Sequence, residues 1–285
     1  MLHIATVATH SERYLPVLEK MVEDKGLKLE KLGYGKKYQG HFMKDLEMIK
    51  FLEPLPKEDI VIFLDGFDTI MLGKEEEILE KFKSTGKKMI ISIENVRNSF
   101  LCHSYHFQKV QTKYINTGLY IGYCGYVLNL LKEMYSSDYN KKSNQTTWSK
   151  FLNSNPKNVD LKYFSTDIES KLFLNDSFTC NNKFDFDKNK RRVVLNSGQT
   201  PCFLQGNGVV NLNKLIKDMG YEDSNIYKKD LLKEQIKYSY NAVMKTYPIL
   251  KYFIGGIILA VLFFIFIILA NYKLRNSETY NLTFS

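Results

Sequence analysis

Residues 59–72 read Asp59-Ile60-Val61-Ile62-Phe63-Leu64-Asp65-Gly66-Phe67-Asp68-Thr69-Ile70-Met71-Leu72. The run Ile60–Leu64 is apolar throughout and rich in β-branched side chains, which suits a strand buried on both faces. It stops at Asp65, and a second carboxylate follows at Asp68. At the carboxyl end of a parallel strand an Asp stands on the sheet rim, where α/β folds hold their ligands. Two hard oxygen donors one tight turn apart can face one divalent cation, and such a cation can clamp a diphosphate. The same letters also describe a strand that merely ends in an Asp-Gly turn. Its surroundings have to decide.

Spacing narrows the chemistry. Phosphatases of the haloacid dehalogenase type follow a similar strand with two carboxylates two residues apart, one as nucleophile and one as acid/base. Here the second position after Asp65 is Phe67, so that pairing is excluded. The interval fits instead the Asp-x-x-Asp metal motif of nucleotide-sugar glycosyltransferases.

Working outward, the N-terminal half alternates strands with helices. Strand Leu2–Ala8 leads to a helix from near Ser11, strand Leu27–Leu32 runs into Gly33-Tyr34-Gly35, and a helix over Phe42–Leu52 delivers the strand ending at Asp65. Helix Glu75–Lys83 and strand Met89–Ile93 complete the series. This predicts a parallel sheet with helices on both faces. Beyond Asn95 the pattern loosens. Residues 97–113 read as a surface loop, whose His103 and His106 lack an acidic or thiol partner for a metal. A strand over Tyr114–Gly122 is interrupted by Asn116-Thr117-Gly118, and a helix follows over Tyr126–Tyr135. A short helix is predicted near Gln145–Leu152, strands at Lys171–Phe173 and Arg192–Leu195, and a loop at Asp185-Phe186-Asp187. Gln205-Gly206-Asn207-Gly208 reads as a turn whose glycines let a ligand approach the backbone.

The 285 residues hold one substantial α/β domain and a short appendage. The net charge of +9 is dispersed along the chain rather than gathered into a stripe. That argues against a nucleic-acid partner and suits anionic phosphates or lipid headgroups. Cys102, Cys124, Cys180 and Cys202 show no paired spacing and are expected as free thiols. No basic region with an apolar core of signal-peptide type precedes the first strand. Near the other end, Phe253–Ala270 carries no charged side chain. With Pro248–Tyr252 it predicts a transmembrane helix, a lipid partner for residues 248–271.

The expected layout is a catalytic domain over 1–222, a charged helical stalk over 223–247, the span over 248–271 and a tail over 272–285. Lys228, Lys229, Lys233, Lys237, Lys245 and Lys251 precede the span, and only Lys273 and Arg275 follow it. That bias predicts a C-terminal, tail-anchored membrane protein with its large domain in the cytosol, the lumen being the alternative. Under the cytosolic topology the sequon at Asn281 is lumenal; those at Asn144 and Asn175 matter only in the reverse one.

Five ordered blocks point one way: Thr6-Val7-Ala8-Thr9; Leu32-Gly33-Tyr34-Gly35-Lys36-Lys37-Tyr38-Gln39-Gly40; Phe63–Asp68; Tyr114–Gly122; and Gly206-Asn207-Gly208. In these the chain resembles the glycosyltransferase domain of procollagen lysyl hydroxylases and, more distantly, the collagen galactosyltransferases. The resemblance runs from residue 2 to about 222. It implies a Rossmann-like α/β domain of GT-A type, a UDP-sugar donor (UDP-glucose or UDP-galactose) and a Mn²⁺ ion. By motif position Asp65 and Asp68 would bind the metal, with Gln205 standing where the family has a His. Thr6, Val7 and Thr9 would line the nucleoside pocket, and Tyr38 and Phe67 would pack on uridine. Lys44 would reach a phosphate, and Gly206, Asn207 and Gly208 would also meet the donor. Asn116 and Gly118 would face the donor sugar, while Asn144 and Gln145 align with an acidic cluster and Gln near the acceptor. The implied activity is metal-dependent hexosyl transfer to a hydroxyl acceptor such as hydroxylysine or galactosyl-hydroxylysine of a collagen-like protein. Asn144 and Gln205 depart from the family pattern and leave an alternative, a nucleotide-sugar-binding scaffold without turnover.

Overall fold

The computed structural model of the protein describes residues 1–94, 109–110, 113–136, 144–154, 160–177, 184–207 and 210–221, with scattered helical positions between 233 and 267. Two compact units result, Met1–Tyr238 and Ser239–Ser285. In the first, the chain begins β1 (Leu2–Val7), α1 (Leu15–Glu23), β2 (Leu29–Leu32), α2 (Met43–Leu52), β3 (Ile60–Leu64), β4 (Thr69–Met71), α3 (Glu75–Lys83) and β5 (Met89–Ile93). It continues with β6 (Lys109–Val110), β7 (Lys113–Tyr123), α4 (Cys124–Ser136), α5 (Asn144–Asn153), β8 (Phe164–Thr166) and β9 (Phe173–Ser177). It closes with β10 (Phe184–Asp187), β11 (Arg192–Leu195), β12 (Phe203–Asn207) and α6 (Asn213–Asp218).

Local sequence explains several of these bounds. Pro stands at the start of α1, where its missing N–H costs nothing. Leu15, Leu18, Met21 and Val22 give that helix one buried stripe. Gly26, at φ 73°, then turns the chain as the Leu27 amide donates back to the Val22 carbonyl at 3.1 Å. In α3 three glutamates fill the first turn and Lys81 and Lys83 the last, complementing the helix dipole.

The main sheet has the order β2-β1-β3-β7-β5-β8, with β6 paired to β7. Strands β2, β1 and β3 are parallel, as are β5 and β8, but β7 runs antiparallel to both β3 and β5. The sheet is therefore mixed rather than wholly parallel. The sequence concealed this because β7 is buried on both faces, like its parallel neighbours. Alternation along β3 splits the core: Ile62 and Leu64 face α1, α3 and the second sheet, while Val61 and Phe63 face α2, α4 and α5. Phe63 stacks on its cross-strand partner Tyr120 at 5.1 Å, and Trp148 packs on Tyr120 at 5.4 Å.

Other expectations are corrected. Residues 116–118 do not break their strand; the irregularity falls instead in the pairing of β5, whose partner shifts from Tyr120 to Asn116 between Ile91 and Ser92. Asp185-Phe186-Asp187 is strand, not loop, because Phe184 and Phe186 both pack on the core. The predicted strand at 171–173 lies later, at Phe173–Ser177. Gln205-Gly206-Asn207 is not a turn but the end of β12, between β4 and β9 in a second, three-stranded sheet. Cys124 and Cys202 are buried free thiols; Cys102, Cys180, His103 and His106 lie outside the described residues. No helix among the described residues is long and apolar enough to cross a membrane. Much of the span expected over 248–271 and all of the tail lie outside them; residues 261–267 are helical and exposed.

Candidate functional site

The carboxyl ends of β1 and β3 open on one rim, and β7 and β12 bring further polar groups to it. Asp65 directly follows β3, its amide donating to the Gly118 carbonyl at 2.8 Å. Asp68 follows one turn later, and its carbonyl accepts the Gly206 amide at 2.7 Å. The register Gln205↔Thr69 then places Gln205 beside both carboxylates. Its Nε2 donates to Asp68 Oδ1 at 3.0 Å and to Asp65 Oδ2 at 3.4 Å. Its Oε1 is buried with no hydrogen-bond partner. A buried polar atom left without a partner is costly and calls for a water, an ion or a ligand group to satisfy it.

Gly118 makes this convergence possible. A Cβ there would stand 2.7 Å from both Asp65 Oδ2 and Gln205 Nε2, and 2.9 Å from Asn116 Oδ1. The Gly118 amide itself donates to Asn116 Oδ1 at 2.6 Å. Lys44, from the first turn of α2, pairs with Asp65 Oδ1. Burial pulls its ammonium pKa down, but the Asp65 charge overrides this and the net shift is upward. Asp68 is pushed up to about 7, first by burial and then by the Asp65 charge.

The sequence reading missed Glu94. It directly follows β5, is buried, and accepts hydrogen bonds on Oε1 from Asn116 Nδ2 at 2.6 Å and from Asn207 Nδ2. Burial raises its carboxyl to about 7 against the lowering effect of those two bonds. The signal that marks Asp65, a carboxylate ending an apolar strand, was equally present in Met89-Ile90-Ile91-Ser92-Ile93-Glu94.

Other expected residues are placed with different results. Thr6 is fully buried beneath Gly66, where a Cβ would meet Thr6 Oγ1 at 2.6 Å, so its side chain supports the turn. Val7 and Thr9 are partly exposed, and the Thr9 carbonyl holds the Gly35 amide at 2.9 Å. Phe67 lies 5.5 Å from the His10 ring, and Tyr38 is exposed, 6.0 Å from the His41 ring. Asn144 is buried and its Oδ1 accepts the Gln145 amide at 2.8 Å, at the start of α5. The Gln145 side chain braces β7, accepting from Thr117 N at 3.0 Å and donating to the Ile115 carbonyl at 2.6 Å. Gly208 lies outside the described residues.

Among the described residues no cluster of three or more His, Cys, Asp or Glu could hold a metal. Two carboxylates converge, with the Gln205 amide against them through Nε2; a rotation of that amide would turn Oε1 to the carboxylates and give a hard-oxygen set that fits Mg²⁺ or Mn²⁺.

The family described as PLOD GT domain matches residues 1–228. The chain belongs to the PLOD GT domain family. Among curated relatives, procollagen-lysine,2-oxoglutarate 5-dioxygenase of Drosophila melanogaster is 29% identical over 165 residues, 55% of this chain and 22% of that protein. The human multifunctional procollagen lysine hydroxylase and glycosyltransferase LH3 is 25% identical over 232 residues, 73% of this chain and 30% of that protein. The chain thus spans less than a third of the length of the curated relatives it matches. A solved glycosyltransferase involved in glycosylation of the major capsid of PBCV-1 is similar at 14% identity and a TM-score of 0.49, covering 77% of this chain and 98% of that one. Asp65, Asp68 and Glu94 all lie inside the part matched to the PLOD GT family.

Proposed function

We propose that the chain is a metal-dependent glycosyltransferase of GT-A type that moves a hexose from UDP-glucose or UDP-galactose to a hydroxyl acceptor. One observation carries this reading: Asp65 and Asp68 converge on the Gln205 side-chain amide at the sheet rim of a PLOD GT domain. A divalent cation held there, Mn²⁺ by preference, would stabilise the negative charge that develops on the departing diphosphate. Lys44 adds a second positive charge beside Asp65. In this reading Asn116 and Gly118, joined by a hydrogen bond, would face the sugar, with Glu94 held by Asn116 and Asn207. A carboxyl whose pKa lies near neutrality can take or return a proton at physiological pH.

A collagen-like acceptor is supported by the relatives, whose names refer to procollagen lysine and, for LH3, to a glycosyltransferase. The assay is UDP release by the full chain with each donor, with and without Mn²⁺ and a hydroxylysine peptide. Release that rises with the peptide supports the acceptor. No release under any combination argues against transfer.

The scaffold reading is favoured by one observation. Asn144 and Gln145 spend their side chains on α5 and β7 rather than presenting a carboxylate to an acceptor. Tight UDP binding without turnover would establish it.

We further propose that residues 248–271 anchor the chain with its large domain in the cytosol, on the strength of the uncharged run Phe253–Ala270 and its lysine-rich N-terminal flank. Asn281 carries the topology test. Asn175 is buried and its Nδ2 donates to the Ile93 carbonyl at 2.8 Å, and Asn144 is also buried, so an absent glycan at either tells nothing. Glycosylation at Asn281 supports the cytosolic domain; its absence in a membrane-inserted chain opposes it.

A further inference from the structure

Helix α1 carries the chain away from the Asp65 rim, and at its far end a cavity of about 810 Å³ opens. It forms where four segments meet: the end of α1, the start of α3, the β10–β11 turn and the residues after α6. Lys25, Lys74, Lys190 and Arg191 line it, and among the described residues none of the four forms an ion pair, although Lys25 Nζ donates to the Met21 carbonyl at 3.2 Å. Arg192 differs. It is bound to Glu77 and to the Thr200 and Pro201 carbonyls, both at 3.0 Å, and so forms a closed wall.

Arg191 is held in place. Its backbone is left-handed at φ 52°, a conformation that costs a side-chain-bearing residue energy. Its Nη2 sits 2.8 Å from where a Cβ on Gly220 would be, so the guanidinium lies over bare backbone. The Tyr221 ring centre is 5.9 Å from its guanidinium carbon. Asp187 Oδ1 fixes the turn by accepting the Asn189 and Lys190 amides at 2.9 and 3.0 Å. Lys25 reports the resulting field. Burial, opposed by Asp24, lowers its pKa, and Arg191, Arg192 and Lys74 lower it further.

Glu76 and Glu80, one turn apart on α3 and exposed, also line the cavity, as does Asp24 beside Lys25. Carboxylates accept hydroxyl hydrogens, unpaired ammonium and guanidinium groups take phosphate oxygens, and an aromatic face suits the C–H surface of a ring. Neither a bare anion nor an apolar molecule would use both kinds of group.

We propose that this cavity binds a phosphorylated polyol, with Lys25, Lys74 and Arg191 on the phosphate and Glu76 and Glu80 on the hydroxyls. A soluble sugar phosphate and an inositol-phosphate lipid headgroup share this chemistry. The site uses no residue of the Asp65 cradle and stands or falls apart from the transferase reading.

Titration calorimetry on the full chain with inorganic phosphate, glucose 6-phosphate and inositol 1,4,5-trisphosphate tests it. A phosphorylated polyol is expected to bind at least about tenfold more tightly than inorganic phosphate, and Lys74→Ser with Arg191→Ser to remove about tenfold or more of that affinity. Glu76→Gln with Glu80→Gln should weaken the polyols but not inorganic phosphate. Lys74→Glu, exposed at the start of α3, gives a charge reversal that spares the fold should the double variant misfold. Co-sedimentation with phosphatidylcholine vesicles, with and without phosphatidylinositol 4,5-bisphosphate, separates the two sources: capture only with the phosphoinositide assigns the lipid, and no capture assigns the soluble ligand. Failure of all three ligands to bind, or binding that Lys74→Glu leaves unchanged, overturns the proposal.

Discussion

Gln205 Nε2 lies 3.0 Å from Asp68 Oδ1 although 137 residues separate them, and its Oε1 is buried without a partner. One face of this amide thus holds the two carboxylates together while the other lacks the bond that burial demands. Rotating the amide brings its oxygen to the carboxylate side and makes a third hard donor. Gln205→Leu is therefore expected to weaken Mn²⁺ binding by roughly tenfold, with the fold retained. Electron paramagnetic resonance of free Mn²⁺ reads this directly; unchanged affinity would remove Gln205 from the metal shell.

Gly118→Ala places a methyl 2.7 Å from Asp65 Oδ2 and from Gln205 Nε2. Overpacking of this kind costs about 1–3 kcal/mol where the neighbours cannot yield. Both neighbours are held, Asp65 by Lys44 and Gln205 by β12, so the cradle is expected to open. Metal-dependent UDP binding should fall by about tenfold or more on that cost. Wild-type binding in this variant would show that the close approach has no functional part.

Much of this was legible beforehand. The apolar run before Asp65, the glycine-flanked blocks and the helix bounds at Glu75–Lys83 are local signals, and local signals survive translation into structure. The direction of β7 was not legible, since a strand buried on both faces reads alike whichever way it runs. Nor was β12: Gln205-Gly206-Asn207 has turn composition, and only its pairing with β4 and β9 makes it a strand. Asn144 and Gln145 aligned with functional positions, yet their amides are consumed locally, which no spacing could reveal. Glu94 was overlooked although its position at a strand end was available.

Glu94→Gln keeps the shape and the bond to Asn116 while removing the ionisable group. Turnover is expected to drop by about 10²–10⁴-fold, the range for loss of an acid/base group, with UDP affinity unchanged. In the parent chain the rate should follow a group titrating at about 7, and that limb should disappear in the variant. Full activity in Glu94→Gln would assign the residue a packing role alone.

Asp45, next to Lys44, tests the physical account on folding stability rather than on turnover. It is buried, accepts hydrogen bonds from Trp148 Nε1 at 3.1 Å and Tyr135 Oη at 2.9 Å, and is pushed by burial to about 7. A carboxyl whose folded pKa exceeds its unfolded value of 3.8 favours folding most at acid pH, and that contribution is lost as pH rises toward about 7. The loss across this window is on the order of 4 kcal/mol. Asp45→Asn should remove this dependence, so the variant gains on the parent between about pH 4 and pH 7 in denaturant titrations. Parallel stability curves for the two proteins would contradict the assignment.

The most direct test of the central claim compares UDP release by the full chain and its Asp65→Ala variant, each with UDP-glucose and UDP-galactose, before and after adding Mn²⁺. The account predicts release by the parent with at least one donor, dependent on added metal, and its loss by more than about 10³-fold in Asp65→Ala while the variant remains folded. Release that persists in Asp65→Ala, or a folded parent that releases no UDP from either donor with Mn²⁺ present, would contradict it.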